Sequence, residues 1–373
     1  MRLGRRRPLE VNRILVRCPN HAGDVVMATP GLAGLRAAYP DAEIVAQLPR
    51  ALIPLLDGSE LVDAHWPLES RGHGLLALRR EARRIEEHGF DLGIAIPESI
   101  SSALLMRLGR VAHVVGYARD AVRACLLDQR VPAEADWGRR RFVSRERFVS
   151  RLMQAVGAPE GNEPPRLRLA TTAAEEARLD AVLRPLGSGL EELRRAPPFV
   201  LAPGAGYGEA KCWPAESFAA LADRLARVGA PVVLLGAPGE QARIAAVRRA
   251  LRSDPIVFDG TLDLGAVKVL LRLARLLVAN DAGARHIAAA FERPSVVFFG
   301  PTAVAKTPDN LARVEVLETD HACRPCYRRH CPIDHRCLRS ISVERAEQAA
   351  HRATARTGLR MLDSPAPARG APA

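Results

Sequence analysis

The chemistry-bearing residues fall into four groups. The first is Asn280-Asp281-Ala282-Gly283-Ala284-Arg285-His286. It sits between the apolar run 276–279 and an alanine-rich run that Pro294 stops. The pattern predicts a buried strand, a turn that opens a helix, and a second buried strand over 295–299 ending in Gly300-Pro301-Thr302. A helix N-terminus in such a turn offers free N–H groups and a favourable dipole to an anion, so the stretch is read as the seat of a phosphate-bearing ligand. Asp281 is either an N-cap or a ligand contact. His286 is either a packed core histidine or a ligand contact, and Ala282 and Gly283 line the turn.

The second group is the loop 203–214, with Gly204, Gly206 and Gly208 ahead of Lys211. Glycine lets backbone approach a ligand closely. The loop lacks the ending of a phosphate-cradling Walker sequence, and its glycines are spaced by two, unlike a dinucleotide fingerprint. It is either an ordinary loop or a diphosphate contact with Lys211 supplying charge. The third group is Gly23-Asp24, at a strand end and ahead of a helix. Asp24 either caps that helix or, kept ionised by the helix dipole, accepts a proton from a hydroxyl nucleophile.

The fourth group is Cys323-x2-Cys326-x4-Cys331-x5-Cys337, with His321, His330 and His335 interleaved. Four thiols at this spacing can bind zinc, but the second pair lacks knuckle spacing, and no metal ligand is assigned. The segment is also basic: a solvated loop, or a contact with phosphates of an acceptor or a membrane surface.

Strands alternating with helices must position these groups. Strands are expected at 13–17, 43–48, 90–96 and 113–117, and helices at 25–38 and 75–88, with another starting near residue 100. A Pro- and Gly-rich stretch at 157–165 marks a boundary, and 187–198 is a second linker. The rhythm then restarts with strands at 199–202, 231–235 and 256–258, and helices at 172–186, 216–228, 241–251 and 264–275. This α/β alternation predicts two parallel sheets with helices on both faces and ligands at the carboxyl ends of the strands.

The totals agree. A chain of 373 residues exceeds one typical core, and 48% apolar content is globular. A net charge of +12 favours anionic partners. Aromatic content of 4% and the lack of a recognisable motif argue against nucleic acid. No apolar run reaches about 18 residues and the N-terminus lacks a secretory core, so a cytoplasmic enzyme is expected. Any membrane contact would be peripheral, at the inner face. Only three of 54 basic residues, Lys211, Lys268 and Lys306, are lysines. A position that keeps lysine in so arginine-rich a chain is a candidate for a compact point charge.

The order and spacing of several motifs resemble glycosyltransferase family 9, the ADP-heptose:lipopolysaccharide heptosyltransferases. They are Gly23-Asp24 with Ala28-Thr29-Pro30; Pro97-x-Ser99 with Ser102-Ala103-Leu104; Gly116-Tyr117; Pro203-Gly204-Ala205 with Lys211-x-Trp213-Pro214; Asn280-Asp281-x-Gly283-x-x-His286; Gly300-Pro301-Thr302; and the spaced cysteines. The resemblance runs from about residue 13 to about residue 343. It implies a GT-B fold: two Rossmann-like domains with parallel sheets facing a central cleft. Acceptor would bind the N-terminal domain (1–165) and donor the C-terminal one (166–345), followed by a C-terminal helix and disordered tail (346–373).

It also implies an inverting, metal-independent transfer of L-glycero-D-manno-heptose from ADP-heptose to the lipopolysaccharide inner core, a lipid-linked glycan, with no cofactor beyond the donor substrate. By that likeness Asp24 is the general base and Lys211 holds the leaving diphosphate. Asp281, Ala282, Gly283 and His286 line the donor, Gly206 belongs to the donor loop, and Glu240 reaches the adenosine. Ala282 stands where relatives often carry Ser or Thr, so one hydroxyl contact is missing. Asn20 lies in a turn that varies among relatives. A family 9 transferase with another nucleotide sugar or acceptor is the alternative.

Overall fold

The computed structural model describes residues 10–68, 75–132, 143–161 and 164–356. The chain divides into two compact units, residues 1–170 and 171–373.

The first unit holds β1 (Arg13–Arg17), α1 (Ala22–Ala38), β2 (Glu43–Pro49), β3 (Ala64–Leu68), α2 (Leu75–His88), β4 (Leu92–Ala95), α3 (Ile100–Leu108), β5 (His113–Tyr117), α4 (Ala121–Cys125), β6 (Gln129–Val131) and α5 (Arg145–Gln154). Its six strands lie in the order β3-β2-β1-β4-β5-β6, all parallel. The strand order reverses between β1 and β4, and the carboxyl ends at that point are where open α/β sheets take ligands.

The second unit holds α6 (Ala173–Leu183), α7 (Leu190–Arg195), β7 (Phe199–Ala202), α8 (Ala215–Ala226), β8 (Val232–Gly236), α9 (Gln241–Ala250), β9 (Ile256–Asp259), α10 (Leu264–Leu273), β10 (Leu276–Asn280), α11 (Gly283–Ala290), β11 (Ser295–Phe298), β12 (Val314–Leu317), α12 (Arg336–Arg339) and α13 (Val343–Ala355). Its sheet repeats the same topology as β12-β11-β10-β7-β8-β9, again parallel throughout. The reversal lies between β7 and β10. Central strands such as β10 and β8 are buried at every residue, as the unbroken apolar runs require.

Several elements depart from the sequence reading. Helix α1 begins three residues earlier than expected, so Gly23 and Asp24 are already helical. It runs through Pro30, as the expected span requires. That proline has no N–H to give the Val26 carbonyl one turn back. The Thr29 hydroxyl donates to Val26 O instead, at 2.7 Å, which lets the helix continue. Gly31 faces α5 so closely that a Cβ would lie 2.7 Å from Val149 Cγ1.

The second linker candidate contains α7. Edge strands β3, β6 and β12 and helix α4 are short and were not expected from sequence; nor was α5, although its Phe148, Val149, Leu152 and Met153 repeat at helical spacing. Helix α13 starts at Val343 and buries Ala346, Ala349, Ala350 and Ala353 in the core of the second unit. The Pro- and Ala-rich last ten residues lie outside the described residues.

Candidate functional site

The candidate donor site occupies the carboxyl ends of β7, β8, β10 and β11 in the second unit. Asn280, the last residue of β10, is fully buried. Its Nδ2 donates to Pro203 O at 2.8 Å and Gly204 O at 3.2 Å, and its Oδ1 accepts from Trp213 N at 3.0 Å. One amide thus ties both ends of the glycine-rich loop to the point where the strand order reverses.

The far end of that loop is anchored by Trp213. Its ring stacks on Phe298 at 4.2 Å, and its Nε1 donates to Ile341 O at 2.9 Å. The Lys-x-Trp-Pro motif is therefore half anchor and half site: the tryptophan is buried in the core so that Lys211, two residues earlier, is held in place.

Asp281 gathers the cations. Lys211 Nζ donates to Asp281 Oδ2 and to Asp281 O, both at 2.8 Å. Arg285 Nε donates to Oδ1 at 2.8 Å, and the Thr302 hydroxyl donates to Oδ2 at 2.8 Å. Burial alone would raise the Asp281 carboxyl. Arg285 and Lys211 overcome this and, with the Thr302 bond, hold it well below the usual carboxylate range. Asp281 is ionised at any working pH.

The N-cap of α11 is Ala282, not Asp281, and it makes no side-chain cap. The first N–H groups of α11, beginning with Gly283, are left without a side-chain cap, as an anion site requires.

His286 lies within the first turns of α11 and is 6% exposed. No described residue hydrogen-bonds its ring. Burial first, then Arg285, holds its pKa well below the usual imidazole range; Asp281 pulls the other way and Lys211 adds to the lowering. The ring is neutral, so it meets a ligand as a dipole and not as a charge.

Glu240 occupies the next strand end over. Its Oε2 accepts from Ala237 N at 2.9 Å, just past β8. It packs on Gly204 so tightly that a Cβ there would lie 1.9 Å from Oε2. Gly204 is thus the space the carboxylate occupies. Burial raises the Glu240 carboxyl, against the Ala237 bond and Arg243. Gly206 has open space where a side chain would be. Gly208 has φ +153° and a carbonyl, Arg329 O, 2.4 Å from where its Cβ would stand.

Asp24 belongs to the first unit. It lies in the first turn of α1, whose N-cap is His21 without a side-chain bond, so Asp24 does not cap the helix. It is half-buried, and no described residue hydrogen-bonds or ion-pairs with its carboxylate. The turn leading to it is held by Arg17, almost fully buried at the end of β1, whose guanidinium donates to Cys18 O and, at 2.6 Å, to Asn20 Oδ1. The companion strand end, after β4, carries Ser99 as N-cap of α3, and the buried Arg123 donates to Ser99 O and Ser102 Oγ.

Cys323, Cys326, Cys331 and Cys337 line one small cavity of about 20 Å³. Burial and then Cys323 raise the Cys337 thiol. Among the described residues no three His, Cys, Asp or Glu side chains are arranged to hold an ion. The segment packs against the donor loop: the Tyr207 hydroxyl donates to Tyr327 O at 2.6 Å, and Ala210 N to Arg329 O at 3.0 Å.

Sequence reasoning placed Asn280, Arg285 and Thr302 in the stretch that seats a phosphate-bearing ligand but gave none of them a role. The available signal was a polar residue closing an apolar strand, and a cation four residues after Asp281, one helical turn on.

The pattern of glycosyltransferase family 9 (heptosyltransferase) matches residues 78–336. The chain is 29% identical to lipooligosaccharide heptosyltransferase 2 of Haemophilus ducreyi, over 79% of this chain and 85% of that one. It is 28% identical to lipopolysaccharide heptosyltransferase 2 of Salmonella typhimurium, over 82% and 87%. Its fold superposes on the E. coli ADP-heptose lipopolysaccharide heptosyltransferase II with a TM-score of 0.76 at 24% identity, covering 93% of this chain and 99% of that one. That fold is the expected α/β arrangement of two Rossmann-like sheets. With over two thirds of its length matched, the chain is a glycosyltransferase and belongs to family 9, the heptosyltransferases.

Proposed function

We propose that this enzyme transfers L-glycero-D-manno-heptose from ADP-heptose to the inner core of lipopolysaccharide, with inversion at the anomeric carbon. The observation that carries the donor half is the Lys211–Asp281 pair. An ammonium has three N–H donors, and two are spent on Asp281. The third is available to a diphosphate oxygen without breaking the pair. The uncapped N-terminus of α11 adds N–H groups to the same end of the sheet.

In the step proposed, the Asp24 carboxylate takes the proton from an acceptor hydroxyl as that oxygen bonds to C1 of the heptose. The bond from C1 to the β-phosphate oxygen breaks, and ADP leaves with the electron pair. Lys211 and the helix N–H groups stabilise the charge that develops on the departing phosphate, which is how such a displacement is accelerated without a metal. Glu240, pinned beside Gly204, contacts the adenosine, while Gly206, Ala282, Gly283 and His286 wall the donor. Acceptor binds the first unit and donor the second.

No described helix is long and apolar enough to cross a membrane. The acceptor is met at the cytoplasmic face of the inner membrane by peripheral contact, which the net charge of +12 favours. The names of the relatives, all heptosyltransferases, support the choice of sugar.

Purified protein incubated with heptose-deficient inner core and ADP-heptose is expected to release ADP and add one heptose to the acceptor by mass spectrometry. GDP- and UDP-sugars should give no product. Transfer from either of those, with none from ADP-heptose, contradicts the reading.

A further inference from the structure

Two of the three lysines in this arginine-rich chain stand at the same end of the same sheet. Lys306 ends a short 3-10 turn, Val304–Lys306, in the loop that follows β11. Its Nζ lies 5.2 Å from the centroid of the Tyr327 ring, and Lys211 Nζ lies 5.2 Å from that of Tyr207. The two tyrosines are joined by the bond from the Tyr207 hydroxyl to Tyr327 O.

A second set of contacts ties the Lys306 loop to Asp281. At one end, the Thr302 hydroxyl donates to Asp281 Oδ2. At the other, Arg285 bridges Asp281 Oδ1 and the hydroxyl of Thr307, the residue after Lys306. Arg285 is only 2% exposed and lies over Phe299, so the bridge is fixed by packing. Tyr327 N donates to Pro301 O at 3.0 Å, which seats the tyrosine against the same loop.

The two lysines differ in one respect. Lys211 is ion-paired with Asp281, whereas Lys306 is exposed and pairs with no carboxylate among the described residues. Lys211 and Arg285 are paired with Asp281, whereas no carboxylate among the described residues balances Lys306, and a diphosphate can supply that balance. A compact ammonium shelved on an aromatic ring, its three donors unspent, suits one phosphate better than a planar guanidinium does.

We propose that Lys306 is a second cation for the diphosphate, contacting donor alongside Lys211. This rests on the donor reading above. The test is calorimetric titration of ADP and AMP into wild-type protein, Lys306→Ala, Lys306→Arg and Lys211→Ala, with melting temperatures taken in parallel. Lys306→Ala should weaken ADP about tenfold, the loss of one charge-assisted hydrogen bond, while AMP changes little. Its melting temperature should match wild type, because the residue is exposed, and Lys306→Arg should recover only part of the affinity, because a planar guanidinium does not present the same compact charge. If Lys211→Ala weakens ADP while Lys306→Ala binds it like wild type, the role of Lys306 is refuted and the donor reading stands. If wild-type protein binds no ADP, both fall.

Discussion

At the residue scale, Asp281 shows why charged groups can be buried here. It is only 12% exposed, yet it accepts from Lys211, Arg285 and Thr302, so burial is offset by pairing. Its carboxyl is held well below the usual carboxylate range, so its charge is not lost as pH falls to about 5. His286, on the same helix, behaves oppositely. Its folded pKa lies well below the unfolded value near 6.5, chiefly through burial. Below about pH 6.5 the unfolded chain therefore binds a proton that the folded protein refuses. Stability falls as pH drops, by roughly 1 kcal/mol per pH unit for one such proton. Denaturant unfolding from pH 7.5 to 5 should show wild type losing this much more than His286→Gln. Equal slopes would mean that the ring takes up its proton in the fold.

At the element scale, the glycine-rich loop divides its labour. Gly208 is required by a left-handed φ and by the Arg329 carbonyl, Gly206 faces open space, and Gly204 makes room for Glu240. Gly204→Ala puts a methyl where the Glu240 carboxylate sits. Because that carboxylate ends a flexible side chain, it can swing away at small cost to folding. The expected result is about a tenfold loss of ADP affinity, near the worth of one charged hydrogen bond, with little change in melting temperature. Unchanged affinity would remove Glu240 from the nucleotide site.

The motifs of this loop were legible because lysine and tryptophan, three of each in the chain, stand out, and because Gly204, Gly206 and Gly208 fall so close together. Their division into anchor and ligand face was not, because it depends on what packs behind: Trp213 on Phe298, and Asn280 across two strand ends. Helix α1 shows the same limit. The helix was expected to run through Pro30, but what sustains it there was not visible: the Thr29 hydroxyl stands in for the missing N–H. The start of α1 was missed because Pro19, Asn20 and Gly23 signal a turn, which placed Asp24 at a cap instead of within the first turn.

At the scale of the whole molecule, the two units share one topology. The repeat of strand, turn, helix and strand was visible in sequence because parallel strands buried on both faces are unbroken apolar runs. Edge strands β3, β6 and β12 are interrupted by Pro67, Arg130 and Glu315, so no unbroken apolar run marked them. The second unit offers the cationic end of a sheet, and the first offers Asp24, an acid without a partner among the described residues. In the proposed mechanism this acid does the proton transfer and has no part in holding donor. Asp24→Ala should lower the turnover of heptose transfer by at least about a hundredfold, the low end of what a positioned base supplies. Its affinity for ADP-heptose, measured by titration on the same preparation, should stay within about twofold of wild type. An Asp24→Ala enzyme that turns over like wild type, or one that loses donor binding along with activity, contradicts that claim.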